Sequence, residues 1–150
     1  LLLFKVSAIM PVYMGGNKTK LIYDNSEEEI VPKALPSVIK RNLKHIGCEY
    51  HTLVKYYASY IEKKQGVPLP ISKDVVLMPV KVRKPIGKSD GAMGYINYHH
   101  IKEFKKRGSD TIITLKNGIE ITCLQTFNSV KLSYSNASIV NKVYLNDNPK

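Results

Sequence analysis

Along most of the chain apolar residues alternate with polar ones or gather in short runs. Only a few stretches show the three-to-four spacing of a helix. "LLLFKVSAIMPVY" and "TKLIYD" are apolar runs separated by Gly15-Gly16-Asn17, which suits the positive φ angles of a tight turn. They predict two strands joined by that turn. "SEEEIVPKALP" is polar, broken by Pro32 and Pro36, and reads as a connector. "SVIKRNLKHIG" is the best helix: Ser37 is the N-cap candidate, Ile39, Leu43 and Ile46 form the apolar face, and Gly47 stands at C′. "EYHTLVKYYASYIEKKQG" suits a short helix through Leu53, Val54 and Tyr57, while its tyrosine-rich end fits a strand equally well.

The second half is richer in strand signals. "VPLPI" is extended because of its prolines, and "DVVLMPV" is a short buried strand. "KVRKPIGKSDGAMG" is a loop. "GYIN" and "IKEFKK" are strands, with "YHH" as a turn or single helical turn between them. Asn117-Gly118 between the β-branched runs of "TIITLKNGIEITCL" predicts a type I′ hairpin. "FNSVKLSYSNASIV" fits a terminal helix with Val130, Tyr134 and Ala137 on one face, followed by a frayed tail, "LNDNPK". The sum is an α+β fold: a strand-rich, mostly antiparallel sheet with one or two short helices and a terminal helix. At 150 residues the chain is expected to be a single domain, large enough to fold without a metal or a disulfide framework. It begins at Leu1 rather than Met, so trimming at one or both ends is expected.

Charge changes the picture. The net charge is +11, and residues 33–107 hold 16 basic residues against five acidic ones, so the whole excess lies in the middle of the chain. Such a field attracts polyanions, nucleic acid first among them; the plainer reading is a charge that serves solubility. Three basic groups stand out. Lys40, Arg41 and Lys44 lie off the apolar face of the first helix. Lys81, Arg83, Lys84 and Lys88 occupy the loop. Lys102, Lys105, Lys106 and Arg107 end the stretch "MGYINYHHIKEFKKRG". Lysines predominate, which favours phosphate contacts over reading of base edges. Arg41, Arg83 and Arg107 are the candidates for reaching bases or a narrow A·T minor groove.

Other chemistry is weakly signalled. His99 and His100 are adjacent, and neighbours on a strand face opposite ways, so one is expected to be packed and the other exposed, with no metal between them. His45-x-x-Cys48-x-x-His51 lacks a fourth ligand, and Gly47 breaks the helix within it. "GKS" at 87–89 has Val82 where a phosphate-binding loop needs glycine, which leaves only Lys88 as a phosphate contact. There is no G-x-S-x-G, paired acidic constellation or C-x-x-C, so neither an enzyme nor a cofactor is expected. Cys48 and Cys123 make no disulfide framework and suit a reducing cytosol, although pairing between them stays open. The apolar start is too short for a membrane span, and no membrane partner is expected.

The order of the pieces resembles the ComK family of competence transcription factors. The resemblance runs over roughly residues 6–140: "AIMPVY" and "TKLIYD", the helix ending at Gly47 with Tyr50 after it, "PLPI", "VLMPV", "MGYIN", "HHIKEF", the "TLKNGIEI" hairpin and "FNSVKLSYSNASIV". Tyr95 stands where the family usually has Trp, and Met78 and Val80 where it has Phe and Thr. The C-terminal half also resembles LytTR DNA-binding domains. The resemblance implies a cytoplasmic, nucleoid-associated activator of DNA-uptake and recombination genes. It would bind A/T-rich double-stranded DNA as a homo-oligomer, with a proteolytic adaptor as a further partner. The alternative is an interaction or regulatory paralogue that pairs with an activator or adaptor without promoter preference.

Overall fold

Alternation in the first forty residues becomes a hairpin plus one added strand. In the computed structural model, which describes residues 5–61, 66–84 and 91–149, β1 (Val6–Tyr13) and β2 (Asn17–Tyr23) pair antiparallel, and β3 (Glu28–Val31) pairs with β2. The predicted connector therefore contains a strand. Glu28 and Glu29 hide it from a hydrophobic pattern, yet an edge strand needs only backbone partners, and charge suits an edge.

The remaining strands are β4 (Leu69–Ser72), β5 (Val75–Lys81), β6 (Met93–Asn97), β7 (Ile101–Arg107), β8 (Asp110–Leu115) and β9 (Glu120–Cys123). They build a six-stranded sheet in the order β3-β2-β1-β6-β5-β4 and a three-stranded sheet, β7-β8-β9, antiparallel throughout. The α+β expectation is met.

Both faces of the large sheet are covered, which is why β5 is an unbroken apolar run. On one face Ile9, Leu21 and Leu77 pack with Leu35, Ile39 and Leu43 of α1 (Leu35–His45), and α2 (Tyr50–Ala58) lies beside it. On the other, Ala8, Ile22, Met78 and Ile96 join Ile113 and Leu115 of the small sheet and Val130, Ala137 and Val140 of α3 (Phe127–Asp147). A single-turn 3-10 helix (Tyr98–His100) carries the chain from one sheet to the other, as the "YHH" reading allowed.

Asn97, fully buried at that crossing, joins the pieces. Its Nδ2 donates to Val6 O and Asp74 O, and its Oδ1 accepts from Val76 N and His99 N, at 3.1–3.3 Å.

Several boundaries differ from expectation. α1 starts at Leu35, two residues before Ser37, with Ala34 as an N-cap that makes no side-chain bond. Pro36 fits the first turn because that turn's N–H groups lack helical partners. Leu35 and Val38 take the buried positions, and Ile46 is half exposed. At the other end Gly47, at φ +77°, lets Cys48 N reach Leu43 O at 2.8 Å. The region of uncertain class is helical: Glu49 caps α2, accepting from His51 N at 2.8 Å and Thr52 N at 3.0 Å. Those bonds hold its carboxyl below the usual range, His51's amide contributing most.

The Asn117-Gly118 turn is not type I′. Only Gly118 has positive φ, +90°, and Gly118 N bonds Leu115 O at 2.9 Å, giving a type I turn with a bulge. α3 continues through Leu145–Asp147, the expected frayed tail, because Val143 and Tyr144 pack on the core.

Candidate nucleic-acid interface

α1 has a hollow on each flank. On one flank, Pro11 and Asn17 of the first hairpin, Ile39 and Lys40 of α1, Tyr50 of α2, and Met93 and Tyr95 of β6 line a groove of about 380 Å3. Its charged residues are Lys18, Lys40 and Arg83; no acid lines it among the described residues.

Arg83 is held in place. Its Nε donates to Gly91 O at 2.6 Å and its Nη2 to Asn17 Oδ1 at 2.8 Å. Lys40 Nζ sits 5.6 Å from the centre of the Tyr50 ring, within cation–π range. Burial first, and the hydrogen-bonded Tyr50 beside it, hold the Tyr95 hydroxyl proton well above its ordinary range, so the groove floor stays uncharged. Below it β1 and β6 approach closely: a Cβ on Gly94 would stand 2.9 Å from Ile9 O. A large side chain there would push the strands apart.

The second hollow, about 280 Å3, is lined by Lys33, Arg41 and His45 together with Glu29, so Arg41 faces mixed charge. Lys40 and Arg41 are adjacent in sequence and about 100° apart around the helix, which sends them to different flanks. Lys44 is exposed in the last turn, one turn after Lys40.

The second basic group leads away from the groove. Lys81 lies opposite Met93 across β5 and β6, and Lys84 is exposed just past Arg83. Lys88 lies outside the described residues. From Lys81 a bonded path crosses to the small sheet. Lys81 N donates to Gln125 Oε1 at 2.7 Å, Leu124 N to Lys81 O at 2.8 Å, and Thr111 Oγ1 to Gln125 O at 2.9 Å. Thr111 pairs with Lys106 and Arg107 with Asp110, so the Lys106–Arg107 end of β7 belongs to this same end of the molecule.

β7 is an edge strand, and Lys102, Lys105, Lys106 and Arg107 are all exposed on it. Phe104 anchors it, 5.4 Å from the rings of Phe127 and Tyr134. Lys102 stands four residues before Lys106, about 13 Å along the strand. The three basic groups are therefore drawn together in part. Lys40, Arg83, Lys84, Lys81, Lys106 and Arg107 follow one path, while Arg41 and Lys102 lie apart from it. Sequence reasoning missed Lys18, Asn17 and Tyr50. A lysine straight after a Gly-Gly-Asn turn, in a hairpin free of acids, was the available signal for the first two.

The histidines have structural partners. Both are half-buried rather than one packed and one exposed, because the 3-10 turn aims them at different elements: His100 Nδ1 is 2.7 Å from Ser7 Oγ, and His99 Nε2 is 3.1 Å from Asn141 Oδ1. Among the described residues no three His, Cys, Asp or Glu side chains are placed to hold a metal. Cys48 and Cys123 are free, and burial, then Asp110, pushes the Cys123 thiol up to about 12. No helix among the described residues is long and apolar enough to cross a membrane.

Residues 5–144 match the family described as ComK protein. That covers most of the chain, which therefore belongs to this family, one of competence transcription factors rather than of enzymes. No curated protein and no solved structure matches the chain.

Proposed function

We propose that this ComK-family chain is a DNA-binding transcription activator acting as one unit, and that it recognises A/T-rich promoter boxes of DNA-uptake and recombination genes. Lys40, Lys81, Arg83 and Lys84 contact phosphates on the groove side, and Lys106 and Arg107 extend that contact. It works in the cytoplasm, on the nucleoid, as a homo-oligomer, and is handed to degradation by a proteolytic adaptor.

The observation that carries this reading is the run of basic residues leading from an acid-free groove to the end of β7. Aligned cations that start from an acid-free groove are what a phosphate backbone selects.

The test is fluorescence anisotropy with an A/T-box duplex and a G·C-rich duplex of equal length, titrated from low to physiological salt. Six phosphate contacts predict a log–log salt slope of roughly −5.4. A preference for the A/T duplex that survives physiological salt is the expected result. The second reading, an interaction protein without promoter preference, draws on Leu132, Ile139 and Leu145, each 41% exposed on α3. It predicts equal binding to both duplexes, erased by salt.

A further inference from the structure

The two most exposed large apolar side chains among the described residues are neighbours: Tyr13 is 53% and Met14 55% exposed. Both sit at the tip of the β1–β2 hairpin. Pairing persists to the last step, Tyr13 opposite Asn17, and Met14 N donates to Gly16 O at 2.9 Å. Gly15 and Gly16, at φ +71° and +151°, make that reversal possible.

The neighbouring strands stop short. β6 pairs with β1 only at Ala8 and Ile9, and β3 reaches β2 no further than Thr19. Residues 12–18 therefore end the hairpin as a two-stranded arm, roughly 10 Å long at ~3.4 Å per residue, with Tyr13, Met14 and Gly15 exposed at its tip and Asn17 and Lys18 lining the groove behind it.

The arm is also suitably charged. No Asp or Glu occurs between residues 5 and 23, and Lys18 lies on the arm itself. Arg83 is bonded to Asn17, just behind the tip. An apolar tip backed by cations and amide donors fits an apolar slot between anionic walls.

We infer that the arm tip is a wedge: Tyr13 and Met14 insert between neighbouring base pairs from the minor groove, while Asn17, Lys18 and Arg83 hold the flanking edges and phosphates. This rests on the DNA-binding reading above and deepens it. Minor-groove edges of A·T pairs present only acceptors, which suits lysine and amide donors. Unstacking one step costs free energy, which apolar burial offsets together with the bend that brings more phosphates to the protein. Thymine–adenine steps unstack most easily, so the wedge confers A/T preference on a surface whose other contacts are to phosphate.

The experiment uses an A/T duplex with 2-aminopurine beside a central TA step and a dye pair at its ends, and a matched duplex with a GC step. The wild type should raise 2-aminopurine fluorescence and shorten the end-to-end distance on the TA duplex. The Tyr13→Ser/Met14→Ser variant should keep the salt slope, lose both signals, and bind the TA duplex roughly tenfold more weakly. Tyr13→Phe should keep both signals, since a ring without the hydroxyl still wedges. A wild type that binds with neither unstacking nor bending overturns the wedge alone, as does a double variant that retains both signals. A wild type that binds neither duplex overturns the DNA-binding reading together with the wedge.

Discussion

Two hairpins in this protein are built from the same turn chemistry and do opposite work. The β8–β9 turn is bound to the body: Lys116 N donates to His100 O at 2.8 Å, and Asn117 Nδ2 to Tyr23 O at 3.1 Å. It thereby rivets the small sheet to the end of β2. The β1–β2 turn projects past its sheet with Tyr13 and Met14 in solvent. A Gly-containing turn specifies how a chain reverses. What the reversed end touches is decided by strands far away in sequence.

The largest effect should appear at the joint behind the bound hairpin. Asn97→Ala removes the partner of two backbone N–H groups and two carbonyls at a fully buried position. It should lower stability by about 3 kcal/mol or more in urea unfolding. The Tyr13→Ser/Met14→Ser change on the free tip should stay within about 0.5 kcal/mol. Equal losses in the two would mean that the arm is packed in solution.

Next come the glycines themselves. Gly118→Ala forces a side chain to φ +90° and should cost about 1–2 kcal/mol of global stability. Gly15→Ala meets comparable strain at φ +71°, but in the arm. Its cost should appear as faster amide exchange at Met14 and Asn17, with the melting temperature nearly unchanged. A global loss from Gly15→Ala would show that the arm unfolds with the core.

On DNA the contrast should reverse. Lys40→Ala/Arg83→Ala, on the arm's side of the molecule, should reduce the salt slope by about 2 and weaken binding to all sequences. Lys102→Ala, away from the basic path, should change the slope by well under about 1. The opposite ranking would move the interface to the far end of β7.

The smallest effect concerns pH. Burial, more than the neighbouring Lys116 and His99, holds the His100 pKa below its ordinary value, against the opposing pull of Asp24 and Asp74. The unfolded chain takes this proton more readily than the folded one. Stability is therefore full above about pH 6.5 and falls as pH drops toward the lowered folded value. Melting temperatures from about pH 8 to 5 should show this decline, flattened in His100→Gln. An unchanged slope in the variant would assign the proton elsewhere.

Much of the architecture was legible locally. Alternation and apolar runs located the strands around Ile9, Leu21, Leu77 and Ile113, and helical spacing located α1 and α3. Where pattern failed, a distant partner had intervened. Glu28 and Glu29 form a strand because β2 offers them its edge. The last turn of α3 holds because Val143 and Tyr144 meet the core. The β8–β9 turn is one residue longer than its Asn-Gly signal because Thr114 pairs with Glu120.

The basic surface divides the same way. Composition by itself determined that the charge excess lies in residues 33–107, and periodicity determined that Lys40 and Lys44 point away from the core. Only the tertiary structure decided that Lys40 shares a groove with Arg83, that Arg41 turns to the other flank beside Glu29, and that Gln125 ties Lys81 to the end of β7. Side-chain direction follows from the local period of 2 or 3.6 residues. Neighbourhood follows from pairings between strands and helices dozens of residues apart, which no local period encodes.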